Sequence, residues 1–151
     1  MINHMKEEVP RVTMFIENCM DSLSVLIEIQ SKLDGVVYSF DYYDSIQVYE
    51  YDKGMWGKII TDKRLVLVDF LTADEKNAVR TVFANIDSTI AFIHISSESI
   101  DILFNETNRG KNVTSLIITT NDPSRLASYN DYYAEWIDQV WSYEICYWQR
   151  G

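Results

Sequence analysis

The sequence predicts a single α+β domain spanning residues 1–151: an N-terminal helix, an antiparallel β-sheet of about six to seven strands with a central helix inserted, and a C-terminal helix. Three observations carry this expectation. Apolar residues recur at three- and four-residue steps before Gly35 and strictly alternate soon after it, which are the periods of a helix face and a strand face. A helix-capping signature, Thr72-Ala73-Asp74-Glu75, interrupts the strand pattern midway. The chain has only 5 glycines and 2 prolines and no repeat or composition break, so nothing divides its 151 residues.

Between Arg11 and Asp34, Val12, Phe15, Ile16, Cys19, Leu23, Leu26, Ile27 and Leu33 form one stripe of an amphipathic helix, with Gly35 as its stop. Val36, Tyr38, Phe40 and Tyr42 then alternate, and Ile46 and Val48 continue after Tyr43-Asp44-Ser45, which reads as a hairpin. "KIIT" and "LVLVDF", separated by the polar "DKR", predict a second hairpin. From Thr72 a short helix runs to about Ile86, with Val79, Val82 and Phe83 facing inward. "TIAFIHIS" and "SIDILF" form a third hairpin, "NETNRGKN" a turn and "SLIITT" another strand. Asp122 before Pro123 is an N-cap signal, and Leu126, Tyr129, Tyr133, Trp136, Ile137, Val140 and Trp141 share a helical face, so a helix is expected over Asp122 to Trp141. "WSYEICYW" fits helix and strand equally, and its state stays open.

A net charge of −10 with a pI near 4.5 opposes binding to a phosphate backbone, so nucleic acid is not an expected partner. The N-terminal "MINHMKEEVPRV" has no apolar stretch after its charges, and no run is long enough for a membrane helix, so a cytoplasmic protein without a membrane partner is expected. Cys19 and Cys146 fit reduced cysteines, Cys19 on the buried stripe, and the Asn105 and Asn112 glycosylation-type triplets have no role there.

Catalytic chemistry finds little material. With His4 and His94 as the chain's 2 histidines, a histidine-centred triad or multi-histidine zinc site has almost no material, and His94 reads as a polar-face or satisfied core residue. Asp41, Asp44, Glu50 and Asp52 lack the central glycine of a calcium loop. Neither a metal nor a cofactor is expected, and the protein is read as not an enzyme. The competing reading of an enzyme on small molecules would need a pocket with shifted titratable groups.

The aromatic residues are distributed unevenly. All 10 tyrosines and 4 tryptophans fall within Tyr38 to Trp56 or Tyr129 to Trp148. Both segments are acidic: Asp34 to Asp52 and Leu126 to Gln149 contain no lysine or arginine. Tyr and Trp are enriched at protein interfaces and acids select a basic partner, whereas a core role would place the rings between the first strands and the last helix. The contact residues expected on this basis are Tyr43, Tyr49, Glu50, Tyr51, Asp52 and Trp56, then Tyr132, Glu135, Trp136 and Asp138.

The order helix, strands, helix, strands, helix, together with "VRTVFANIDSTIAFIHISSESIDILF" (Val79 to Phe104) and "DPSRLASYNDYYAEWIDQV", resembles the class I chaperones of bacterial type III secretion. The first stretch is similar to that family's central helix and hairpin, the second to its closing helix. The leucine-proline before the central helix is absent, Leu116 to Thr120 adds a strand, and tyrosine is more abundant. The resemblance implies a homodimer that wraps an extended segment of a secreted protein. A different class, an immunity or antitoxin-type inhibitor blocking the active site of a basic toxin, accounts for the acidic aromatic segments by charge complementarity.

Overall fold

The computed structural model of the chain describes residues 3–33, 37–42, 46–51, 63–65, 69–85, 90–121 and 131–149. It contains helices α1 (Asn3–Ser31) and α2 (Ala73–Ala84) and strands β1 (Val37–Tyr42), β2 (Ile46–Tyr51), β3 (Lys63–Leu65), β4 (Ile90–Ile95), β5 (Ile100–Phe104), β6 (Thr107–Arg109), β7 (Asn112–Thr119), β8 (Asp131–Trp136) and β9 (Ser142–Gln149). The strands form one sheet in the order β3-β2-β1-β4-β5-β7-β9-β8, with β6 attached to β7. Every pairing is antiparallel. β3 and β6 are three-residue pieces; β1, β2, β4, β5 and β7 match strands the sequence predicts, whereas β8 and β9 join the sheet in addition to them.

α1 begins at Asn3 rather than Arg11 and continues through Pro10. Packing outweighs the proline's local penalty, since Val9 lies against the core. The helix kinks at Cys19 (φ −134°, ψ 22°), where the thiol donates to the Phe15 carbonyl at 2.9 Å. The kink shifts the stripe, so Ile29 is fully buried and Ile27 only partly. Lys32 and Leu33 close the C-terminus with bonds to Ile29 and Gln30 carbonyls.

The capping signature forms as expected. The Glu75 N–H donates to Thr72 Oγ1 at 3.2 Å, and the Thr72 N–H donates to Glu75 Oε1 at 2.8 Å. The same Oε1 also accepts from Lys32 Nζ at 2.6 Å, which ties the end of α1 to the start of α2. Burial pushes the Glu75 carboxyl up, but the bonds from Lys32 and Thr72 together outweigh burial and hold it below its ordinary value.

Period two divides the sheet into two faces. Val48, Phe40, Ile93, Ile102, Ile118 and Tyr143 pair in one row across six strands, each no more than 4% exposed. α1 lies against β5, β7 and β9 on this side and α2 against α1, so one core joins helices and sheet.

Three expectations need correction. Asp131–Trp136 is a strand, not part of the helix expected over Asp122 to Trp141, of which residues 122–130 lie outside the described residues; Ser142–Gln149, whose state the sequence leaves open, is a strand as well. Their aromatic residues satisfy both periods, and β9 settles the matter by pairing with β7 along its whole length. Asp138 turns the chain between them, its Oδ1 accepting from the Val140 and Trp141 N–H groups at 2.7 Å each. Within the polar "DKR", Lys63 and Arg64 belong to β3 rather than a turn; residues 58–61 and 66–68 of that hairpin lie outside the described residues. The polar "NETNRGKN" reduces to a tight turn at Gly110 (φ +64°) and Lys111 between β6 and β7.

Thr72→Ala is expected to lower unfolding free energy by about 1 kcal/mol, the usual worth of an N-cap, in urea denaturation. Glu75→Gln is expected to destabilise at neutral pH. Because the folded-state pKa lies below the unfolded value of 4.5, the ion's contribution is complete above that value and disappears as pH falls through the folded pKa. The gap between wild type and Glu75→Gln should therefore close on acidification.

Burial likewise pushes the Cys19 thiol up to about 12 and the Cys146 thiol up to about 11. Both cysteines are free and buried. Neither should react with iodoacetamide in the native protein at mildly alkaline pH, while both should react after unfolding, as read by intact mass.

Candidate functional site

The strands that bury one face under the helices turn the other away from them; its polar Ser39, Asp101, Thr119, Ser142 and Glu144 are nonetheless buried, and Phe92, Leu103, Ile117, Tyr49 and Trp136 make its accessible part. Its rows follow from the same registers. One row runs Tyr49, Ser39, His94, Asp101, Thr119, Ser142, Trp136. Its neighbour runs Gln47, Asp41, Phe92, Leu103, Ile117, Glu144, Ala134. The second has an apolar middle between two acids. Phe92, Leu103 and Ile117 are only partly buried, and with Ser115 and Cys146 they line a concavity of about 640 Å³ that extends to Asn105, Glu106 and Asn108.

Polar side chains on this face are held by one another. Thr119 Oγ1 donates to Asp101 Oδ1 at 2.6 Å and accepts from the Asn121 N–H at 3.0 Å. Ser142 Oγ donates to the Asn121 carbonyl at 3.0 Å. The Tyr132 hydroxyl donates to Glu144 Oε1 at 3.2 Å; burial first, and then the Glu144 carboxylate, push this phenol up to about 12. Tyr49 donates to Gln47 Oε1. The His94 ring lies edge-on to Phe92, centroids 6.2 Å apart, which realises the polar-face alternative for that histidine.

The ten expected contact residues are not gathered into one patch. Tyr43, Asp52 and Trp56 lie outside the described residues. Tyr51 closes β2 opposite Val37 and Lys63. Tyr49 and Trp136 stand at opposite ends of one row, six strand spacings or about 29 Å apart. Trp136 is 47% exposed, and Tyr132 joins it on the open face. Glu50 and Glu135 fall on the other face by alternation. Glu135 Oε2 accepts from the Tyr133 and Tyr143 hydroxyls at 2.8 and 3.0 Å. Asp138 is committed to its turn. The rings also do not line a seam between the first strands and a last helix, because β2 and β8 lie near opposite edges of the sheet.

Phe92, Leu103, Ile117 and Glu144 were not among the expected contacts, yet they occupy the middle of the open face. The signal lies in "AFIHI" and "DILF", where apolar residues appear on both alternations. Such a strand is apolar on two faces, and only one of them is needed for the helices.

Among the described residues no group of three or more histidine, cysteine or acidic side chains could hold a metal ion, and no helix is long and apolar enough to cross a membrane. Glu144→Gln is expected to lower the Tyr132 pKa below its value of about 12 without restoring the ordinary 10, because burial remains. Carbon NMR of the tyrosine Cζ resonances against pH reads this shift. No protein-family model, curated protein or solved structure matches the chain.

Proposed function

We propose that this chain works by binding another protein on the open face of its sheet, as an acidic inhibitor of the immunity or antitoxin type directed at a basic partner. The observation that carries the reading is the row Asp41, Phe92, Leu103, Ile117, in which partly exposed apolar side chains run on from a partly exposed carboxylate, on the same face as the exposed Trp136. The apolar centre supplies affinity and the acid at its end steers and orients a basic surface. The hydroxyls of Tyr132 and Tyr49 are already bonded within the fold, so little order has to be created on binding, which suits a rigid inhibitor. The charge of −10 speeds encounter with such a partner.

One observation favours a second reading, that of a chaperone for a secreted protein. The concavity along Phe92, Leu103 and Ile117 is open and pairs an apolar floor with polar Asn105, Glu106, Asn108 and Ser115, which suits the alternating side chains of an extended segment. Under either reading the work is recognition rather than catalysis, and the two free cysteines fit a reducing cytoplasm.

Capture of partners at low and high salt, followed by assay of the captured protein, tests the proposal. A folded basic protein whose own activity is lost on binding supports the inhibitor, a flexible segment of a secreted protein supports the chaperone, and no capture at either salt overturns both. With the partner in hand, Trp136→Ala should weaken binding by about 2 kcal/mol or more, the range of interface hot spots. Its melting temperature should scarcely move, because nearly half of the side chain is already exposed. Asp41→Asn should chiefly slow association at low salt.

A further inference from the structure

A second concavity, of about 330 Å³, lies on the helix-covered side of the sheet between the β1–β2 hairpin and α2. Phe40, Val48 and Val79 form its apolar wall, each no more than 1% exposed. Lys76 and Arg80 also line it, one helical turn apart on α2, with Asp69 opposing them in charge. The only salt bridge among the described residues joins Lys32 to Glu75, so neither base is neutralised by a described carboxylate. In a chain with 23 acids against 13 bases, two cations converging on one apolar hollow oppose the average field of the molecule.

We propose that this cavity binds a small carboxylate with an apolar body, the body against Ile46 and Leu71 over the buried Phe40, Val48 and Val79 and the carboxylate toward Lys76 and Arg80. The volume is at the small end of ligand pockets, which suits an arylalkanoate or a branched alkanoate rather than a nucleotide. A carboxylate gains charge-assisted hydrogen bonds from ammonium and guanidinium groups, while an uncharged analogue of the same shape keeps only the apolar contact. Asp69 works against the anion and limits its affinity. The site is on the opposite side of the sheet from the open face and does not depend on the protein-binding reading.

Phenylacetate is the probe and phenylacetamide its neutral control, titrated into the full chain while backbone amide shifts are followed by NMR. The expected result is saturable shifts at Val48 and Val79 with the carboxylate, and affinity about fivefold lower with the amide, the upper end of what partly exposed ion pairs supply. Lys76→Gln with Arg80→Gln should lower carboxylate affinity by a similar factor, and Asp69→Asn should raise it. These three side chains are exposed or only partly buried, and an unchanged melting temperature verifies that the variants fold. Absence of saturable shifts up to tens of millimolar overturns the proposal. So does equal binding of acid and amide, or an Asp69→Asn variant that binds no more tightly, since each would leave a hollow without selectivity for an anion.

Discussion

Every side chain on the open face is placed by residues on the other. Phe40, Ile93, Ile102 and Ile118 are fully buried and meet in one cross-strand row, and strand geometry then sends Asp41, Phe92, Leu103 and Ile117 outward with no further instruction. A slip of one residue in any strand would exchange the two faces of that strand, driving an acid or a histidine under the helices. The core therefore specifies the composition of that face by exclusion. Main-chain hydrogen bonds run beneath it from β2 to β8.

Legibility in the sequence followed the range of the interactions. The Thr72–Glu75 cap is a matter of four consecutive residues and could be read directly, as could the alternation in β1, β4 and β5. The closing segment could not. Tyr133, Trp136, Ile137 and Val140 lie on a helical face as well as in a strand and its turn, and the choice between them rests on β7, whose register with β9 is a distant pairing that no local pattern contains. The acidic aromatic residues were legible as a composition and not as a place. Alternation sends Glu135 and Trp136 to different sides, and the sheet order puts Tyr49 and Trp136 at opposite ends of a row. The apolar residues of "AFIHI" read as a hairpin strand, with nothing local to say that Phe92 would lie on the face the helices do not cover.

The two helices are joined to one another by a polar contact. Glu75 Oε1 serves both the cap of α2 and Lys32 from the end of α1, so one carboxylate fixes the angle at which the second helix starts and the place where the first one ends. Cys19 acts comparably within α1: its thiol satisfies the Phe15 carbonyl at the kink, and Ile29 reaches the core because the helix bends there.

The position of β9 between β7 and β8 has a consequence for the order of events during synthesis. A ribosome delivers α1 well before β9, yet α1 packs against β9 and Ile145 is fully buried in the shared core. The nascent chain can assemble β1, β2, β4 and β5 early, but the wall that completes the core of α1 emerges only with β9. Until then β7 offers an unpaired edge and α1 an uncovered flank, the kind of surface on which chains associate wrongly. The core thus closes only once β9 has emerged, and the strong negative charge keeps waiting chains apart in the meantime.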